Sequence, residues 1–189
     1  TTGGTSPYTY VWSNAATGAT ATGLAAGTYG VTSTDANGCT STATVTITEP
    51  VALVASIATQ TNVACNGGST GTTTVSVSGG VSPYTYVWSN ADTSATTSGL
   101  AAGTYTLTTT DANGCTSTVS TTITEPTAVI ASIASQTNVL CNGSSTGSIT
   151  ATTAGGVSPY AYVWSNSDTS ATTSGLAAGS YTVTATDAN

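Results

Sequence analysis

Carboxylates and thiols are the strongest chemical groups in this 189-residue chain, with seven of the first and four of the second and no Lys, Arg or His beside them. The acids are Asp35, Glu49, Asp92, Asp111, Glu125, Asp168 and Asp187. Paired carboxylates that hydrolyse a glycoside must flank one bond, whereas equivalent acids here stand whole stretches of chain apart. Ser-His-Asp and Cys-His sites need an imidazole. A phosphate-cradling loop needs its Lys. General acid–base catalysis most often uses His, which is absent. The thiols, Cys39, Cys65, Cys115 and Cys141, never fall in a CxxC pair, so zinc has no familiar set of ligands. Asp92 and Asp111 sit at turn signals, but one or two carboxylates fall short of the six to eight oxygens that calcium takes. The chain reads as non-enzymatic, with no cofactor and no metal.

The same inventory excludes partners. Nucleic-acid binding releases counterions by means of protein cations, and none exist. Attraction to an anionic membrane surface fails for the same reason. No apolar run reaches 18 residues, so no insertion into a membrane is expected in this segment. No signal peptide is visible at Thr1. Salt bridges within the chain are impossible, leaving apolar burial, backbone hydrogen bonds and any disulfides to hold the fold.

The elements that position these groups are repeated. Cys39 and Cys115 are 76 residues apart, as are Cys65 and Cys141, and the same step relates Trp12, Trp88 and Trp164. Val81–Asn113 recurs almost unchanged at Val157–Asn189, and a more divergent copy runs from Thr5 to Asn37. Fixed-period repetition settles architecture before any motif is read. Residues 1–50 are expected to be the C-terminal part of one repeat, 51–126 a complete repeat and 127–189 the N-terminal part of a third. The chain is thus expected to be a piece of something longer. The links Glu49-Pro50 and Glu125-Pro126 are too short to be flexible spacers, so neighbouring repeats of one chain should be closely coupled.

Within the complete copy, short alternating runs are separated by Gly, Asn, Asp and Pro clusters. Strands are expected at Val51–Ala58, Thr72–Ser78, Tyr84–Trp88, Thr93–Leu100 (one strand or two), Thr104–Thr110 and Thr116–Thr124. Period-2 alternation puts Tyr84, Tyr86 and Trp88 on one face, and Tyr105 and Leu107 on the inward face of a later strand. The fold class is all-β: tandem immunoglobulin-like β-sandwich domains with six or seven short strands per repeat. Trp12, Trp88 and Trp164 are the core anchors, since Trp offers the largest buried area. Asn113-Gly114 is a hairpin turn that accommodates positive φ.

The cysteines suit an oxidising compartment better than a cytosolic thiol role. An even count of four strands between Cys65 and Cys115 returns the chain to one end and favours a disulfide within the repeat. A split of Thr93–Leu100 makes the count five and puts the two thiols at opposite ends. If Cys65 bonds Cys115, Cys39 and Cys141 take partners beyond the ends of the chain. Unpaired buried thiols are the alternative.

The ordered blocks Cys-Asn-Gly, Gly-Gly-x-x-Pro-Tyr-x-Tyr-x-Trp-Ser-Asn, Gly-Leu-Ala-Ala-Gly-x-Tyr, Asp-Ala-Asn-Gly-Cys and Glu-Pro resemble the SprB repeat, found in the gliding-motility adhesin of Bacteroidota and in other surface proteins of that group. The resemblance covers essentially the whole chain. It implies an immunoglobulin-like sandwich, an extracellular or cell-surface location, export by the type IX system, and no catalytic residues. Hydroxyl-linked glycans on Thr93 or Thr169 are permitted by the same resemblance; Asn142-Gly143-Ser144 also fits an N-glycosylation sequon.

Two functions follow as expectations. The first is a rigid stalk or filament, cell-adhesive, in which low charge permits identical chains to associate laterally. The second is a carbohydrate-binding module that presents Tyr8, Tyr84 and Tyr160 to surface glycans, against the simpler reading that these rings pack the sandwich edge. Outward Thr rows also raise ice binding, but a 76-residue period does not suit a solenoid of short coils.

Overall fold

Alternation of Thr with β-branched and aromatic residues, cut by turn residues, gives strands and no helix in the computed structural model, which describes residues 1–189. The chain divides into two compact units, Thr1–Ala52 and Leu53–Asn189.

The first unit holds one antiparallel sheet, β1 (Thr9–Trp12), β2 (Gly27–Thr34) and β3 (Thr40–Ile47), paired in that order. Its inner face is only half-covered.

The second unit begins with the complete copy: β4 (Val54–Thr61), β5 (Gly71–Ser78), β6 (Thr85–Trp88), β7 (Thr96–Leu100), β8 (Gly103–Thr110) and β9 (Thr116–Ile123). They form two three-stranded sheets, β4-β5-β7 and β6-β8-β9. Ala55 and Val75 of the first sheet bury against Trp88 and Leu107 of the second. A second cluster of Val63, Leu100 and Ile123 closes one end. The faces follow the expected alternation: Leu107 and Thr109 are fully buried, while Val87 points outward. The first strand lies three residues later than expected. A bulge between Ile57 and Thr59 lets its pairing continue to Thr61↔Thr72, and Val51 is left exposed.

The third copy contributes β10 (Ile130–Thr137), β11 (Gly147–Ala154), β12 (Ala161–Trp164), β13 (Thr172–Leu176) and β14 (Val183–Thr186), in sheets β10-β11-β13 and β12-β14.

The path between sheets decides where the ends of the sandwich lie. β6 pairs antiparallel with β8, and β7 pairs antiparallel with β5. After Trp88 the chain leaves one sheet and, eight residues on, enters the other at Thr96 still travelling the same way. β6 and β7 are therefore two halves of one traverse that switches sheets. The crossover is tied by Trp88 N–H to Asp92 O (2.9 Å), Val75 N–H to Ala95 O (2.9 Å), and the Trp88 indole N–H to Ser94 O (2.9 Å). Ala91 holds a positive φ of 67° at the tip of the crossover turn. From β5 to β8 there are three traverses, an odd number. The corner at Cys65 thus lies at the Leu100–Ile123 end, and Cys115 lies at the Val81–Asp111 end.

Candidate functional site

The cysteine expectation is corrected by this path. All four cysteines are free and exposed. Cys65 and Cys115 are separated by the length of β9, about 25 Å for eight residues in extended conformation, whereas a disulfide needs Cα atoms within roughly 4.4–6.8 Å. Four strands do separate them, but two run in the same direction, so the even count does not bring the chain back.

The Trp expectation divides. Trp88 and Trp164 are each 2% exposed, in the core between sheets. Trp12, whose own unit holds a single sheet, is only half-buried. All three indoles donate to a carbonyl six residues on: Gly18, Ser94 and Ser170.

Tyr8, Tyr84 and Tyr160 are half-buried beside their Pro corners. Each hydroxyl donates to a glycine carbonyl five residues earlier, Gly3 (2.8 Å), Gly79 (2.6 Å) and Gly155 (2.7 Å). The polar handle of each ring is therefore spent inside its own corner.

The acids organise turns. Asp111, at the bottom of its sandwich, accepts Val81 N–H on one oxygen (2.9 Å) and Asn113 and Cys115 N–H on the other (2.9 and 2.8 Å). Asp35 repeats the arrangement with Thr5, Asn37 and Cys39. Donation from the Val81 N–H holds the Asp111 carboxyl below its ordinary range; burial pushes the other way, and Cys115 and Asn113 add to the lowering. Thr5 leads the same effect at Asp35. Asp92 and Asp168 are lowered chiefly by the N–H groups of Ser94 and Ser170. Every carboxylate oxygen of Asp111 already has a backbone donor, a use that competes with a cation.

A groove of about 500 Å³ in the third copy is lined by Ile133, Val139, Ile149, Leu176 and Tyr181 among others. The corresponding place in the complete copy is filled by β9, whose Ile123 packs on Val63 and Leu100. The groove thus corresponds to a strand position of the fold rather than to a cleft shaped for a small molecule. β10, whose counterpart β4 packs along β9, is exposed throughout.

The most specific polar arrangement lies where the complete copy hands over to the third. Gly67 N–H donates to one Glu125 carboxylate oxygen (2.7 Å) and the Asn66 amide to the other (3.1 Å). The Asn66 amide also reaches Pro126 O (3.1 Å). The Cys65–Gly68 turn thus grips the link that leaves its own repeat. From the third copy, the Asn189 amide donates to Ala64 O (2.6 Å), and the Cys65 thiol points at Asn189 O (3.7 Å). Behind this turn, Gln60 and Asn62 tie the first strand to the last, through Thr122 O (2.8 Å), the Thr121 hydroxyl and Thr124 N–H (3.1 Å). Sequence reading passed over Asn66, Gln60 and Asn62 because they resemble ordinary turn residues. Their signal was the recurrence of Gln-Thr-Asn and Cys-Asn-Gly at fixed distances after each Glu-Pro.

The family model for the SprB repeat matches residues 57–93 and 133–169. No curated protein matches the chain.

Proposed function

We propose, from the premise that this chain carries SprB-type repeats, that it is a non-enzymatic segment of an extracellular surface adhesin or filament, in which repeats act as stiffly joined beads of a stalk. The observation that carries this reading is the grip of Asn66 and Gly67 on the Glu125 carboxylate. A flexible link spreads the distance between the modules it joins. Here a charge-assisted hydrogen bond, stronger than a neutral one, pins the two-residue link, and Asn189 fastens the next repeat to the same turn. Composition supports the reading. With no cations, the surface offers neither a nucleic-acid footprint nor a site for anionic substrates. Its outer faces carry hydroxyls paired across strands, such as Thr74 with Thr96 (3.0 Å) and Thr104 with Thr122 (3.2 Å). No helix is long and apolar enough to cross a membrane.

The test is small-angle scattering on the chain and on the double variant Glu125→Ala, Asn66→Ala. Release of the link broadens the distribution of intramolecular distances while circular dichroism stays β-rich. An unchanged distribution removes the stiff-stalk reading.

A further inference from the structure

The junction also gives the cysteines a role that pairing within a repeat cannot. We propose that successive repeats are stapled by a disulfide between the thiol at the position of Cys65 and the thiol at the position of Cys115 in the repeat that follows. The inference deepens the stalk reading and rests on the same junction.

Three observations lead to it. First, Cys65 lies at the end of its sandwich from which Glu125-Pro126 departs, and its thiol is 3.7 Å from Asn189 O of the next copy. Second, Asn189 is the repeat counterpart of Asn113, which precedes Cys115 by two residues. The turn around it is already formed: Val157 N–H donates to Asp187 (2.9 Å), Ala188 N–H to Val157 O (2.9 Å), and Asn189 N–H to Asp187 (3.3 Å). In the complete copy these bonds have counterparts at Val81, Ala112 and Asn113, and the turn then curls so that Cys115 N–H returns to Asp111. Third, two residues of chain reach no further than about 7 Å. A cysteine delivered by the same turn is thus held in the neighbourhood of Cys65, and bonding would bring the pair to the Cα separation of roughly 4.4–6.8 Å that a disulfide accepts. Under this pairing Cys65 and Cys141 take partners in the following repeat, and Cys39 and Cys115 in the preceding one. All four thiols are exposed.

The chemistry is oxidative. Two thiols lose two protons and two electrons as the S–S bond forms. A disulfide-bearing protein oxidant of an extracytoplasmic compartment accepts both and departs as a dithiol.

The experiment extends the full chain beyond Asn189 by a copy of Gly114–Pro126, oxidises it in a glutathione couple and maps disulfides by mass spectrometry without reduction. The expected product has lost the mass of two hydrogens, and one peptide pair joins Cys65 to the added cysteine. Cys39, Cys115 and Cys141 alkylate freely. A bond from the added cysteine to Cys141, which would be pairing within a repeat, overturns the proposal. So does a free added cysteine beside an alkylated Cys65. The unextended variant Asn189→Cys guards against misfolding of the extension: it is expected to crosslink to Cys65, and free thiols at both positions also overturn the proposal. Scattering of the reduced chain reports the stalk reading separately, since the Glu125 grip needs no disulfide.

Discussion

Trp12 and Trp88 occupy the same place in nearly the same sequence, and only Trp88 is buried. The same contrast separates Leu24, half-buried, from Leu100, 1% exposed. Local structure is equal in the two: β1 pairs with β2 as β6 pairs with β8, and both indoles donate to the carbonyl six residues on. What differs is the second sheet. In Thr1–Ala52 there is only β1-β2-β3, whereas the complete copy sets β4-β5-β7 against its counterpart. An alternating strand specifies which face is apolar; burial comes from the sheet placed against that face.

The contrast breaks most visibly at the Trp. Trp88→Ala is expected to destabilise its unit by about 3–5 kcal/mol, and Trp12→Ala by less than half of that, as read by native-state amide exchange in each unit. Equal losses would mean that the single sheet is sheltered as well as the sandwich.

Glycines sharpen it next. A Cβ at Gly71 would stand 2.7 Å from Ile123 and 2.8 Å from the Leu100 carbonyl, so Gly71→Ala is expected to cost about 1–3 kcal/mol by overpacking. At Gly30, in the single sheet, the nearest atoms are 3.9 Å away, and Gly30→Ala should stabilise by roughly 0.5 kcal/mol through lost chain entropy. Thermal melts of the two variants should move in opposite directions.

A smaller effect concerns a hydroxyl. Thr109 is fully buried and its Oγ1 has no partner. Thr109→Val keeps the shape and removes the unpaired group, for an expected gain of about 1 kcal/mol. Its counterpart Ser33 donates to Ser41 O (3.3 Å), so Ser33→Ala should instead be neutral or mildly destabilising in urea titration.

The last prediction tests what the two regions share. Asp35 and Asp111 both have carboxyls held below their ordinary range by backbone donors. Such groups stabilise the fold fully above their unfolded pKa, near 3.9, and the contribution is lost as pH falls through the folded value. Both units should therefore weaken below about pH 4. Asp111→Asn should flatten this acid limb in the second unit alone, as followed by amide exchange between pH 5 and 2.

Much of this was legible in the sequence. The repeat, the strands and the inward faces of β6 and β8 follow from spacing and period 2, because these are local properties. The direction of travel was not legible. Trp88 and Thr96 are close in sequence, and only the second sheet shows that the chain continues forward rather than turning back. That one step reversed the expected position of Cys115 relative to Cys65. The junction was hidden for a related reason: Glu125 meets Asn66 across nearly a whole repeat, and no local pattern connects a turn amide to a carboxylate 59 residues later.

The sheet-switching traverse has a mechanical consequence. Because the traverses add to an odd number, β4 and β9 run the same way along one edge of the sandwich, joined near one end by Ala55 N–H to the Ser117 hydroxyl (3.1 Å) and near the other by Gln60 to Thr122 O (2.8 Å). The chain enters this sandwich at one pole and leaves at the other. Tension applied through the chain then slides the first strand along the last instead of peeling them apart, so their contacts must yield together rather than one after another. A segment built this way resists pulling along its length far better than prying from the side.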